Sequence, residues 1–126
     1  MKYPEHLLYT KDHEWIHFHG EQAVIGITDF AQKELGDIVY LDITTLNESL
    51  EREQIFGTVE AVKTVSDLYI PVGATVIEVN AKVNEQPELV NKDPYGDGWI
   101  IRVALKDPDD RTGLLTVDEY KKQIGA

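Results

Sequence analysis

Hydrophobic and polar residues alternate along most of this chain, the period-two signature of half-buried strands. From His13 to His19 the alternation places Glu14, Ile16 and Phe18 on one face and His13, Trp15, His17 and His19 on the other. Gly20-Glu21-Gln22 then turns the chain into a second strand, Ala23 to Ile27. Asp37 to Ile43 reads as a strand with Val39, Leu41 and Ile43 on one face and Ile38 and Tyr40 on the other; being apolar on both, it is expected between two layers. Thr75 to Asn80 and Trp99 to Leu105 complete the regular strands. Helical signals are few. Asp29 to Leu35 is a short helix with Asp29 and Gln32 as its capping box and Gly36 as its stop, and one turn is expected around Pro87, within 84–91. A C-terminal helix spans about 116–124, opened by the capping box of Thr116 and Glu119, with Val117, Tyr120 and Ile124 on its packing face. The pattern is mainly β with short helices.

One stretch does not fit an ordinary strand. From Ile55 to Val72 nearly every residue favours extended backbone, a run about three times the usual five or six residues. It must fold back on itself, and Val62-Lys63-Thr64-Val65, bracketed by Glu60 and Asp67, is where it does so symmetrically. That puts Lys63 at a hairpin tip made of residues that hairpin turns rarely use. A type I turn accepts them because its dihedrals need no positive φ. A local rule broken between sound strands marks a candidate for function.

Composition narrows the choice. With 126 residues, 42% hydrophobic and 9% aromatic, the chain suits one domain with a single core. Its longest uncharged run, Leu68 to Ile77, is far short of the roughly eighteen apolar residues of a membrane span. The N-terminal Met1-Lys2-Tyr3-Pro4-Glu5-His6 has neither a signal core nor transit-peptide character, so a cytoplasmic, bacterial protein is expected, with a mature organellar form carrying an added Met as the alternative. Twelve Lys and Arg against 23 Asp and Glu give a net charge of -11, which repels phosphate backbones and anionic lipid. Neither nucleic acid nor membrane is an expected partner. Without cysteine there is no disulfide, thiol nucleophile or thiolate metal site, so sulfur chemistry has to arrive with a cofactor. His17 and His19 project from one strand face, but no acidic partner is placed beside them, and the three strand histidines read as exposed side chains without a metal.

The residues around Lys63 resemble the lipoyl-attachment hairpin, and more narrowly that of glycine cleavage system H proteins. The matching positions are Glu60, Val62, Lys63, Ser66, Asp67, Leu68, Tyr69 and Pro71. The resemblance extends to Asp12-His13-Glu14-Trp15, Gly26 to Gln32, Leu35 to Val39, Pro87 to Asn91 and Asp93 to Trp99. It implies a flattened β-barrel or sandwich of two antiparallel sheets, a single monomeric carrier domain over 1–126, and lipoic acid attached covalently to Lys63. It implies no catalysis by the chain itself: the carrier would take an aminomethyl group from a pyridoxal-phosphate glycine decarboxylase to a folate-dependent aminomethyltransferase. A dihydrolipoamide dehydrogenase would then reoxidise it, and a lipoate ligase or lipoyltransferase would have attached the arm. Glu14 and Asp67 carry over as residues of a cleft for the arm, and Glu60 as a recognition residue for modification.

Departures from the family pattern are Asp12 for a common Ser, Asn47 and Ala74 where glycines are usual, and Glu53 where Gly is frequent. Asn47 tolerates left-handed backbone, whereas Ala74 implies a shifted turn or strain. A biotin carrier fits less well, because Val62 and Thr64 replace the usual flanking methionines. An H-like paralogue serving lipoyl relay or regulation has the same residues. A free-standing enzyme lacks a nucleophile or phosphate loop.

Overall fold

The computed structural model describes residues 2–126. Nine strands form: β1 (Leu8–Tyr9), β2 (Glu14–His19), β3 (Gln22–Ile27), β4 (Ile38–Asp42), β5 (Ser49–Leu50), β6 (Ile55–Ala61), β7 (Val65–Tyr69), β8 (Ala74–Val79) and β9 (Ile101–Leu105). They make two antiparallel sheets, of order β1-β2-β3-β9-β8-β5 and β4-β6-β7, so the architecture is a two-sheet sandwich rather than a closed barrel. The strands' inward apolar sets meet between the sheets, where Ile16, Ile25, Phe56, Val59, Ile70, Val76 and Ile101 are fully buried. Trp15 sits opposite Gly26 in the β2–β3 register, and its indole covers the glycine so closely that a Cβ there would lie 2.7 Å from the ring.

Four helices complete the described residues: α1 (Asp29–Leu35), α2 (Ala81–Glu85), α3 (Leu89–Lys92) and α4 (Val117–Ile124). The α4 capping box of Thr116 and Glu119 forms as expected, and Gly125 ends the helix in the left-handed conformation. Its Tyr120, wholly buried, stacks on Tyr9 at 4.8 Å and joins Leu7 and Trp15 in a second apolar cluster. The α1 cap differs from expectation by one residue. Thr28, not Asp29, is the N-cap and accepts from Ala31 N, because a cap must keep extended backbone and Asp29 is already helical. Asp29 instead accepts from the Gln32 amide at 2.6 Å. Pro87 separates two short helices rather than centring one, and Asn80, expected as a strand end, caps α2.

The reading of β4 as sandwiched also fails, for a definite reason. A bulge between Ile38 and Tyr40 shifts the face on which residues fall, so Ile38 and Leu41 both point inward while Val39 and Tyr40 are 47% and 53% exposed. The strand is an edge of the small sheet, covered on one side only.

Candidate functional site

The long extended run does fold back. β6 and β7 pair with Thr58 opposite Asp67 and Glu60 opposite Val65, and the hairpin closes where Ala61 N donates to Thr64 O at 2.8 Å. Val62 N donates to Asp37 O at 3.0 Å, which ties the tip to the start of β4. None of Val62, Lys63 and Thr64 has positive φ, so the turn holds these side chains without left-handed strain. Lys63 is exposed at the tip. On the outer face of the small sheet, one rung reads Tyr40, Glu60, Val65 and the next Asp42, Thr58, Asp67. Glu60 therefore faces solvent beside the tip.

Behind the hairpin lies a cleft of about 370 Å³. Ser66, Asp67 and Leu68 of β7 form one wall, running back from the lysine, and Phe30, Ala31 and Leu35 of α1 form another. His13, Asp12 and Glu34 supply its polar groups. A smaller cavity of about 190 Å³ adjoins Glu14, Thr10, Tyr69 and Pro71, and shares Asp12 with the cleft. The two predicted cleft carboxylates thus lie in different cavities: Asp67 in the larger one, Glu14 in the smaller.

Glu14 is 1% exposed, not open to solvent at a strand end. Its carboxyl accepts from Thr10 Oγ1 at 2.8 Å and from Tyr69 N at 3.1 Å, so it links β2 to the hairpin strand that returns from Lys63. Burial pushes its pKa from 4.5 up to about 8, against the opposing pull of those two hydrogen bonds. A carboxyl held this way is ready to ionise when a cation arrives, because an ammonium beside it repays the cost of charge.

Thr10 and His13 are functional neighbours that the sequence reading did not single out. Alternation carried His13 into the strand as an exposed residue. Instead it precedes β2 with φ 68°, is half-buried, and packs its ring 4.9 Å from Phe30. Its left-handed backbone lets His13 N donate to Thr10 O and His13 O accept from Thr28 N. A tight turn before the strand was the only available signal, and histidine does not announce one. His17 and His19 do share a face, with ring centroids 4.2 Å apart, and His6 lies 4.9 Å from His17. Among the described residues no group of three or more His, Asp or Glu is arranged to hold a metal.

The departures resolve individually. Asn47 and Glu53 do adopt positive φ, at 70° and 71°, so left-handed backbone is required at both. Ala74 carries no such strain: neither it nor Gly73 has positive φ, and Ala74 is simply a buried residue of β8.

Comparison with known proteins then decides the kinship. Residues 7–126 match the family model described as Glycine cleavage H-protein. The chain belongs to the glycine cleavage H-protein family. It is 49% identical over 126 residues to the glycine cleavage system H protein of Bacteroides fragilis, covering 100% of both chains. To that of Bacteroides thetaiotaomicron it is 50% identical over 124 residues, 98% of each. The crystal structure of the H protein from Mycobacterium marinum superposes with TM-score 0.90 at 35% identity, over 98% of this chain and 100% of that one. H proteins are the lipoyl carriers of the glycine cleavage system, a component that passes material between enzymes, and this chain is one of them. No helix among its described residues is long and apolar enough to cross a membrane.

Proposed function

We propose that Lys63 carries lipoate in amide linkage, and that the chain is a non-catalytic substrate of three enzymes in turn. The observation that carries this is the placement of an exposed lysine at a hairpin tip whose return strand lines an apolar cleft. The cleft fits the group: Ile27, Phe30, Ala31, Leu35 and Leu68 suit an aliphatic chain, and Asp12 and Asp67 suit a cationic end. When attached, lipoate supplies a dithiolane that accepts an aminomethyl group and two electrons, chemistry that a chain without cysteine cannot supply.

The roles of the protein's own residues follow. The tip, free of left-handed strain and tied to Asp37, holds the attachment point away from the body of the domain. Glu60, exposed beside it, is available to the attaching enzyme. Glu14 holds the return strand through Tyr69 N and provides a latent negative charge, while the cleft keeps water from a labile aminomethyl group between visits. The partners are a glycine decarboxylase, an aminomethyltransferase, a dihydrolipoamide dehydrogenase and a lipoate ligase or lipoyltransferase. A carrier that must leave each enzyme to reach the next works as a monomer, and the bacterial relatives support a cytoplasmic setting.

The test is intact mass after incubation with lipoate, ATP and a lipoate ligase, beside Lys63→Arg. Gain of one lipoyl group by the parent and none by the variant is expected. A parent that gains nothing while another H protein is modified in the same tube sinks the proposal.

A further inference from the structure

One hydroxyl ties the C-terminal helix to two walls of the cleft. Tyr120 Oη lies 2.9 Å from His13 Nδ1 and 2.8 Å from Thr28 Oγ1, and both Tyr120 and Thr28 are wholly buried. Thr28 caps α1, which supplies Phe30, Ala31 and Leu35 to the cleft, while His13 lines the cleft from the other side. Proton counting decides the direction of these bonds. Thr28 Oγ1 already accepts from Ala31 N, and its single hydroxyl proton has one acceptor within reach, Tyr120 Oη. Tyr120 must then give its own proton to His13 Nδ1. The reverse direction leaves a buried hydroxyl proton with no acceptor, which native structures avoid. His13 is therefore the neutral imidazole with its proton on Nε2, a nitrogen with no protein partner and not sealed from solvent.

The cleft's other ionisable groups are Asp12, Glu34 and, at its β7 rim, Asp67, all acceptors when charged, and the Ser66 hydroxyl donates to Asp67 O, so His13 provides the cleft's one side-chain N–H donor. A sulfur with thiolate character entering among three carboxylates is disfavoured unless a donor meets it. We propose that Tyr120 is a positioning residue for this cleft, holding His13 as the Nε2–H tautomer so that it donates a hydrogen bond to the sulfur end of a dithiol arm. This rests on the reading that Lys63 carries such an arm. The C-terminal helix then does more than cover the sheet: it sets the hydrogen-bonding polarity of a site 107 residues away in sequence.

Two measurements test it. The first uses unmodified protein, with nitrogen-15 imidazole spectra of the parent and Tyr120→Phe, which keeps the stack on Tyr9. The parent should show His13 protonated on Nε2 alone, and the variant a mixture of tautomers. A parent protonated on Nδ1, or already mixed, overturns the proposal. The second follows alkylation of the reduced lipoyl protein by mass against pH, a reading of the arm alone because the chain has no cysteine. At neutral pH His13→Asn should react about three- to tenfold more slowly, the effect of losing one ordinary hydrogen bond to the thiolate, and Tyr120→Phe, which keeps part of the Nε2–H tautomer, should fall between it and the parent. Asn is chosen because it tolerates the left-handed backbone at position 13. Parent-like rates in both folded variants overturn the proposal. A parent that takes up no lipoate defeats the carrier reading instead, and the spectra still decide the tautomer.

Discussion

Replacing Glu14 by Gln should make the protein more stable at neutral pH, and by an amount that depends on pH in one direction only. In the folded chain burial holds the Glu14 pKa at about 8, against 4.5 for an ordinary glutamate. Below 4.5 the side chain is protonated whether folded or unfolded and contributes no pH dependence. Between 4.5 and 8 the unfolded chain releases this proton while the folded one keeps it, so stability falls as pH rises; above 8 both states are ionised and the loss stops. By pH 7 the interval is 2.5 pH units, or about 3 kcal/mol at roughly 1.4 kcal/mol per unit. Gln has no proton to lose, but its single amide oxygen accepts from either Tyr69 N or Thr10 Oγ1 and not both, because Thr10 Oγ1 already accepts from Asp12 N and Glu14 N; the lost bond costs about 1 kcal/mol at every pH and leaves the pH dependence untouched. Urea unfolding followed by tryptophan fluorescence at several pH values gives the difference between variant and parent. That difference should grow by about 2–3 kcal/mol between pH 5 and 7.5, with all other carboxylates cancelling in the subtraction. A difference that stays flat within about 0.5 kcal/mol would show that Glu14 is ionised in the folded state, and the latent-charge role assigned to it would be lost.

Two further substitutions probe the backbone that presents the hairpin. Gly57→Ala, in β6, places a Cβ 2.5 Å from Ile43 Cδ1 and 2.7 Å from Asp42 O; since the second is backbone, β4 must move. The cost should be about 2–3 kcal/mol by urea unfolding, and a loss under 0.5 kcal/mol would refute the close approach. Glu53→Val should cost about 1–2 kcal/mol although the Glu53 side chain is 55% exposed, because a β-branched residue resists φ 71°. Glu53→Gly at the same site should stay within about 0.5 kcal/mol of the parent, its backbone freedom offsetting the relieved strain; equal losses in both would place the cost in the exposed Lys11 ion pair instead.

Much of this was legible in the residues, and the reasons are specific. The hairpin at Lys63 followed from an extended run too long to be one strand, and the α4 cap from a Thr and a Glu at fixed spacing. What stayed hidden depended on events with no period. The bulge at Ile38–Tyr40 turned one strand's faces over, and nothing in five apolar or aromatic residues marks where an extra residue is inserted. The cap of α1 moved one position because Thr28 and Asp29 are both good caps, and only backbone dihedrals choose between them. Glu14 was marked as a cleft residue, but its full burial depends on Thr10 and on the hairpin strand 55 residues later. The His13–Tyr120–Thr28 chain joins three distant positions, and no local pattern could have joined them.

The net charge of -11 acquires a location in the structure, and this makes its role testable. β4, β6 and β7 together contain Asp42, Glu60 and Asp67, all exposed, and no Lys or Arg, so Lys63 stands at the tip of an acidic face. That face also holds Val39, Tyr40, Val62 and Val65, apolar side chains that are 47%, 53%, 70% and 60% exposed. An enzyme that reaches Lys63 has to approach over these residues, so its own surface meets carboxylates around an apolar centre. If the charge steers the encounter, salt should slow it once the screening length drops to about 10 Å, near 0.1 M. For a lipoate ligase, kcat/KM should fall several-fold with rising salt while kcat holds, because steering acts on encounter and not on chemistry. Neutralising the face with Glu60→Gln and Asp67→Asn should flatten that dependence. If the doubly substituted protein keeps the parent's salt slope, the carboxylates serve to solvate an exposed sheet, and recognition of the hairpin rests on its shape and its apolar residues.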